Sequence, residues 1–462
     1  MTTVLLPDAD RDYGAKVTAV EPGGAEFIPL NERHGKPIQL LWTWTSPNME
    51  FATVFVGVIG VLFFGLTFWQ AVAAIAIGSA LGAVAHAVLS SWGPKSGFCQ
   101  MVLSRRAFGF LGNMLPAGLN SLAAGLGWFA VNSVSGALAL AALSGMNGYL
   151  CLIIVVALML AIAYFGHNLI QLFERYAFPL LAVIFMVGAI LILAKAQPSA
   201  PAEPVPGGFW IALGATFGYA AGWNPYASDY TRYLAPGTGK AAGIWAAIGM
   251  FVSCTILETV GAAAVTAVGA ADWNYANPVD SYTSLLPTWL GKLTLLAICL
   301  GAIAANALNV YSSSLSFTAM GLKLPTDRAR AGVAVLMGLG GFIIAAVGLN
   351  NISAYENFLL VIAYWVGPWL GVVFADRLLA RAKEGELFYV DVKYRNWAGP
   401  IAMLIGAVLS IWLFSNQAKY VGVMPSAVPA VGDLTFEAGF VLSFVLYAVL
   451  RPALDRSRPS LV

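Results

Sequence analysis

The sequence predicts an all-α polytopic membrane protein of twelve transmembrane helices, with helices one and six broken. Three observations predict it. The 462-residue chain is 59% hydrophobic and 10% charged, with a mean hydropathy of +0.78, whereas a soluble domain carries roughly a quarter charged residues. Twelve apolar runs have the length of a bilayer-spanning helix, about 17–25 residues or more. Proline and polar side chains interrupt the first and sixth of those runs. The net charge of +2 suggests no nucleic-acid partner.

Residues 1–36 come first. They are polar, with none of the apolar core of a signal peptide, and read as a cytoplasmic N-terminal tail. The spans follow at 37–65, 67–90, 112–142, 149–166, 174–195, 207–227, 242–269, 288–320, 331–348, 355–379, 396–415 and 432–450. Lys and Arg concentrate on the cytoplasmic side of membrane proteins. With the N-terminus inside, 21 of the 24 Lys and Arg fall on that side and only Lys195, Lys292 and Lys419 outside. Both termini are therefore expected in the cytoplasm. Cys99, Cys151, Cys254 and Cys299 are scattered through apolar stretches and read as small packing residues.

The first span reads PIQLLWTWTSPNMEFATVFVGVIGVLFFG, apolar except where Ser46-Pro47-Asn48 precedes Glu50. The sixth carries Trp223-Asn224-Pro225. Proline removes a backbone donor and crowds the preceding turn. In lipid the freed groups need partners from protein, water or ligand, so broken helices line cavities. The breaks fall at the same place in two successive five-helix units, which is a sequence pointer to a transporter's binding site. The units are 37–206 and 207–379, of opposite topology because five is odd. Residues 380–462 supply two trailing helices and a cytoplasmic C-terminal tail.

Other spans carry polar residues at helical spacing. Trp128 and Asn132 are four apart in span three, and Asn306 and Asn309 three apart in span eight. Each pair shares a helix face, suited either to a flat hydrogen-bonding ligand or to bridging helices. Glu50 and Glu258 lie among apolar neighbours. A charge at the bilayer centre costs at least about 2.5–3.5 kcal/mol, so such residues are functional candidates. A buried carboxyl that can hold a proton is what a proton carrier requires. Asp229 and Arg232, at the cytoplasmic end of span six, are expected to cap or pair. Nothing points to an enzyme: there is no nucleophile elbow and no catalytic or metal-ligating cluster, and His34, His86 and His167 are far apart in sequence. The absence of P-loop spacing leaves an ion gradient as the energy source.

Taken in order, these motifs resemble the nucleobase–cation symporter family of purine–cytosine permeases and hydantoin or allantoin transporters. WTWTSPNME, QMVLSRRAFGFLGN, GWFAVN, GHNLIQLFERY, GWNPYASDYTRYL, ANALNVYSSSLSF and YENFLLVIAYWVGPWLGVVFAD carry the likeness, from about Glu32 to Asp376. The resemblance implies a LeuT-type fold of two inverted five-helix repeats plus two trailing helices. It implies a planar heterocycle held between Trp128 and Trp223, read at its edge by Asn132 and Asn309, with Ser46 facing the site; Asn306, on the same face as Asn309, is a further expected substrate-binding residue. It also implies import of a nucleobase, or alternatively of a hydantoin, allantoin or related heterocycle, by cation symport.

Two departures bear on the cation. Sodium-coupled relatives place hydroxyl residues on helix eight where this chain has Ala304 and Ala305, and a methyl group offers no oxygen ligand. Glu50 stands where permeases usually carry Asn. The expectation is proton coupling rather than sodium, with Glu258 or Glu50 as carrier and no cofactor or metal.

Overall fold

The computed structural model describes residues 13–275, 277–322, 329–348, 353–379 and 387–454. Helix dominates, as it must where lipid offers the backbone no hydrogen-bond partner. The first span is α1 (Gln39–Thr45) and α2 (Phe51–Leu62), bent by 57° across the turn at Ser46–Asn48. Glu50 caps α2, accepting a hydrogen bond from Ala52 N at 2.8 Å. Next come α3 (Phe68–Ser90), α4 (Met114–Ser144), α5 (Gly148–Phe165) and α6 (His167–Leu193). The sixth span is α7 (Gly208–Ala221), a turn at Asn224–Tyr226, and the five-residue α8 (Ala227–Thr231). Then follow α9 (Gly239–Val268), the short α10 (Pro278–Thr283), α11 (Thr288–Ala319), α12 (Ala329–Gly348), α13 (Ser353–Leu379), α14 (Ala398–Phe414) and α15 (Thr435–Leu454).

Among the described residues, nine helices are long and apolar enough to cross a membrane, and the bent α1–α2 pair makes ten. Helix α14 is shorter, at 17 residues, and the sixth span is divided by its break. Helix α3 packs on α9 and α7, α4 on α11, and α2 on α9; α13 and α14 both pack on α15. Glycine permits the closest of these contacts. A Cβ on Gly57 would lie 1.6 Å from Glu258 O, and one on Gly261 1.8 Å from Val54 O.

The structure departs from the sequence expectation in three places. Helix α6 begins at His167 rather than 174, because Gly166 at φ +94° ends α5 without an intervening loop. Glu174 is thereby carried about two turns inside a helix. Residues 91–113 form short helices whose Arg105 is buried and donates to Tyr389 O and Ala319 O, each at 2.7 Å. The N-terminal segment is no free tail, since Tyr13, Glu21 and Ala25 are buried against the bundle. Arg11, Lys323, Arg328, Arg381, Lys383, Arg456 and Arg458 lie outside the described residues.

Candidate functional site

The two helix breaks meet. Trp223 precedes the Asn224–Tyr226 turn, and its Nε1 donates to Asn48 Oδ1 at 3.0 Å. Asn48 Nδ2 in turn donates to Trp44 O at 2.8 Å and to Ser253 Oγ at 3.1 Å. Asn224 Oδ1 lies 3.2 Å from Nδ1 of the buried His86, whose ring stands edge-on to Trp44. The backbone groups that the prolines release are thus surrounded by amides and aromatic rings rather than lipid.

Beside this junction is a narrow cavity lined by Trp128, Asn132, Tyr219, Trp223 and Asn309. Four of these are expected site residues, drawn from α4, the break after α7, and α11. Both tryptophans meet other rings edge-on: Trp128 stands against Tyr219 at 5.6 Å and Phe358 at 5.0 Å, and Trp223 against Trp44 at 5.8 Å. Both indoles line the cavity, and a planar ligand gains from offset stacking on such a ring. A Cβ on Gly222 would come within 3.0 Å of Trp128 Cζ2, so glycine is what lets Trp128 lie against the break.

Asn306 does not line the cavity. It sits behind, its Oδ1 accepting from Asn132 Nδ2 at 3.2 Å and Asn309 Nδ2 at 3.1 Å. Ser46 does not reach the cavity either. Its hydroxyl bonds Trp42 O at 2.7 Å and also Glu174, so the residue of the first break that touches a cavity side chain is Asn48.

Glu50 is fully buried, at 1% exposure, in the wall between two spaces. Its Oε1 lies 3.5 Å from the hydroxyl of Tyr219, which lines the small cavity. Its Oε2 accepts from Ser135 Oγ at 3.1 Å. Ser135 contributes the only polar side chain among the described lining of a larger apolar cavity of about 240 Å³, bounded by Phe51, Phe55, Val279 and Phe358 among others. Glu258 is equally buried but lies beneath Gly57, away from both cavities. Ala304 and Ala305 are buried on α11. Among the described residues there is no metal-ligating cluster.

At the end of the bundle that carries the N-terminus, Arg232 pairs with Glu21 at 3.1 Å, and Asp229 accepts from Gln100 N at 2.9 Å. Both therefore pair, as expected. His34 and His167 converge there, with ring centroids 6.0 Å apart, although they are 133 positions apart in the chain.

Residues missed at the sequence level are Tyr219, Asn48 and Glu174. Tyr219 carried a signal, being four residues before Trp223 and hence on the same helix face. Asn48 stood inside the first break. Glu174 stands at the expected edge of a span, where a carboxylate carries little burial cost.

The chain matches, over residues 27–436, the family described as "Permease for cytosine/purines, uracil, thiamine, allantoin". It belongs to that family, and is accordingly an integral membrane transporter and not an enzyme. It is 29% identical to the putative purine-cytosine permease YxlA of Bacillus subtilis, over 95% of this chain and 97% of the relative. It is 27% identical to the purine-cytosine permease FCY2 of Saccharomyces cerevisiae, over 88% and 81%. Its fold is shared with Mhp1, a nucleobase-cation-symport-1 family transporter solved in a closed conformation with bromovinylhydantoin bound. The TM-score is 0.74 at 19% identity, over 96% of this chain and 97% of the other.

Proposed function

We propose that this transporter imports a nucleobase of the cytosine or purine type together with a proton, by alternating access between its two five-span units, with both termini in the cytoplasm. The observation that carries the reading is the cavity at the junction of the two breaks, where Trp128, Asn132, Tyr219, Trp223 and Asn309 converge. Rings and amides at that spacing suit a flat heteroaromatic ligand: stacking supplies affinity, and a buried amide rejects ligands that leave it unpaired. The purine–cytosine permease relatives support the same substrate class.

Proton coupling draws its support from two features. Ala304 and Ala305 stand where the resemblance puts the hydroxyl residues of sodium-coupled relatives, and a methyl group supplies no oxygen for sodium. Of the two carboxylates expected to carry the proton, Glu50 is the one bonded to a residue of the cavity, Tyr219. The coupling step takes one proton from water on the outside to the Glu50 carboxylate and releases it to water inside, once per substrate.

The experiment is radiolabelled uptake by cells and by proteoliposomes, with a competition panel of nucleobases, hydantoin and allantoin. Trp223→Ala and Asn309→Ala should each abolish saturable uptake; survival of both uptake and affinity in both variants excludes this cavity. Uptake should rise as external pH falls at constant internal pH, and should persist without sodium. Strict sodium dependence with a flat pH profile excludes the proton.

A further inference from the structure

The polarity of the cavity is set by a residue that does not touch it. An asparagine amide can usually be turned either way, so its hydrogen-bond network must determine which end points where. Asn306 Nδ2 lies 2.8 Å from the backbone carbonyl of Phe129 and 3.0 Å from Ser133 Oγ. A backbone carbonyl only accepts, so Asn306 must present its N–H₂ to that side. Its Oδ1 then points toward the cavity residues and accepts from both Asn132 Nδ2 and Asn309 Nδ2. Those two amides are turned in their turn. Their N–H₂ groups face Asn306, and their carbonyl oxygens, Asn132 Oδ1 and Asn309 Oδ1, are left buried with no protein partner. Both residues line the cavity and are at most 2% exposed.

We infer that Asn306 is the positioning residue for substrate specificity: it orients Asn132 and Asn309 so that the site offers two hydrogen-bond acceptors and demands a heterocycle with two N–H donors. This rests on the proposed heterocycle transport and sharpens its substrate class. Ligands that present a bare ring nitrogen or carbonyl at either point leave a buried carbonyl oxygen facing an acceptor. The cost is that of an unpaired buried polar group, a loss of roughly ten- to a hundredfold in affinity for each donor removed. Ser133 has a lesser part, because its hydroxyl is also 3.6 Å from Met159 Sδ and can rotate, whereas the Phe129 carbonyl cannot be inverted.

The test is competition against radiolabelled cytosine in full-length protein reconstituted in liposomes. Cytosine has donors at N1 and at the N4 amino group. The competitors are 1-methylcytosine and N4,N4-dimethylcytosine, each lacking one donor, and 5-methylcytosine, which adds a methyl on carbon and keeps both. Wild-type protein should bind both N-methylated forms at least about tenfold more weakly than 5-methylcytosine. Asn306→Leu, which keeps the branched shape without donor or acceptor and so frees the two amides to turn, should reduce that ratio to within about threefold. Ser133→Ala should keep the wild-type ratio. A purely steric or structural role for Asn306 would lower overall uptake and leave the ratio unchanged, and that result overturns the inference. Should Asn306→Leu fail to fold, wild-type protein that accepts the N-methylated forms as well as 5-methylcytosine overturns it equally. Failure of any nucleobase to be taken up by wild-type protein overturns the transport reading instead.

Discussion

Glu50 has two structural duties before any transport is considered, capping α2 through Ala52 N and bonding Ser135. Glutamine keeps an acceptor and a donor at nearly the same volume, so Glu50→Gln should fold normally. It should exchange labelled for unlabelled substrate across the membrane but fail to accumulate it against a gradient, and should lose substrate-induced proton uptake in proteoliposomes. Glu258→Gln should accumulate substrate as wild type does. Accumulation by Glu50→Gln at the wild-type level would remove Glu50 as the carrier. At this scale much of the candidate site's lining is legible in the sequence. Trp128, Asn132, Trp223 and Asn309 declare themselves because polar and aromatic residues at a break or on one helix face have few reasons to be in lipid. The placement of Asn306 and Ser46 is not legible. Both lie next to site residues in sequence, yet each is drawn away by a partner on another helix, Phe129 O and Glu174 respectively.

The elements are held at the breaks by close backbone approach. Helix α11 meets the first break at Gly301, where a Cβ would stand 2.0 Å from Met49 O and 2.9 Å from the Glu50 Cβ. A backbone oxygen cannot swing aside as a flexible side chain can. Gly301→Ala should therefore push α11 off the break and destabilise the protein by at least about 1–3 kcal/mol, the usual range for overpacking. Thermal unfolding in detergent checks this. Gly145→Ala is the wrong control, since Gly145 has φ +73°; Gly332→Ala, where nothing lies within 4 Å, should change little. Helix positions are well read from hydrophobic runs because lipid demands continuous backbone pairing. The fifth span is misread at its start because His167, Asn168 and Gln171 look like loop residues. They are helical because the N-terminal segment and its neighbours bond them, as Asn168 Nδ2 does with Gly14 O at 2.9 Å.

In the whole molecule, the segment before the first span is the part that composition describes least well. Polar residues without an apolar run read as a tail, and only the fold reveals that Glu21 has buried partners. Its Oε1 lies 3.1 Å from Arg232 Nη2 and 3.1 Å from the Tyr311 hydroxyl, and also accepts from Tyr233; its Oε2 accepts from His167 N at 3.0 Å. Removing one partner of a buried ion pair commonly costs about 3–5 kcal/mol. Glu21→Ala should accordingly lower the unfolding temperature clearly, and Glu21→Gln by less. Equal stability of Glu21→Ala and wild type would mean the pair contributes nothing. One carboxylate thus joins the first residue of α6, the residue after α8 and the C-terminal third of α11. Those elements cannot part while the joint holds, so any passage opening between them must first break the contacts of Glu21, a residue placed before the first span. The N-terminal segment is in that sense a bolt across three elements of the bundle.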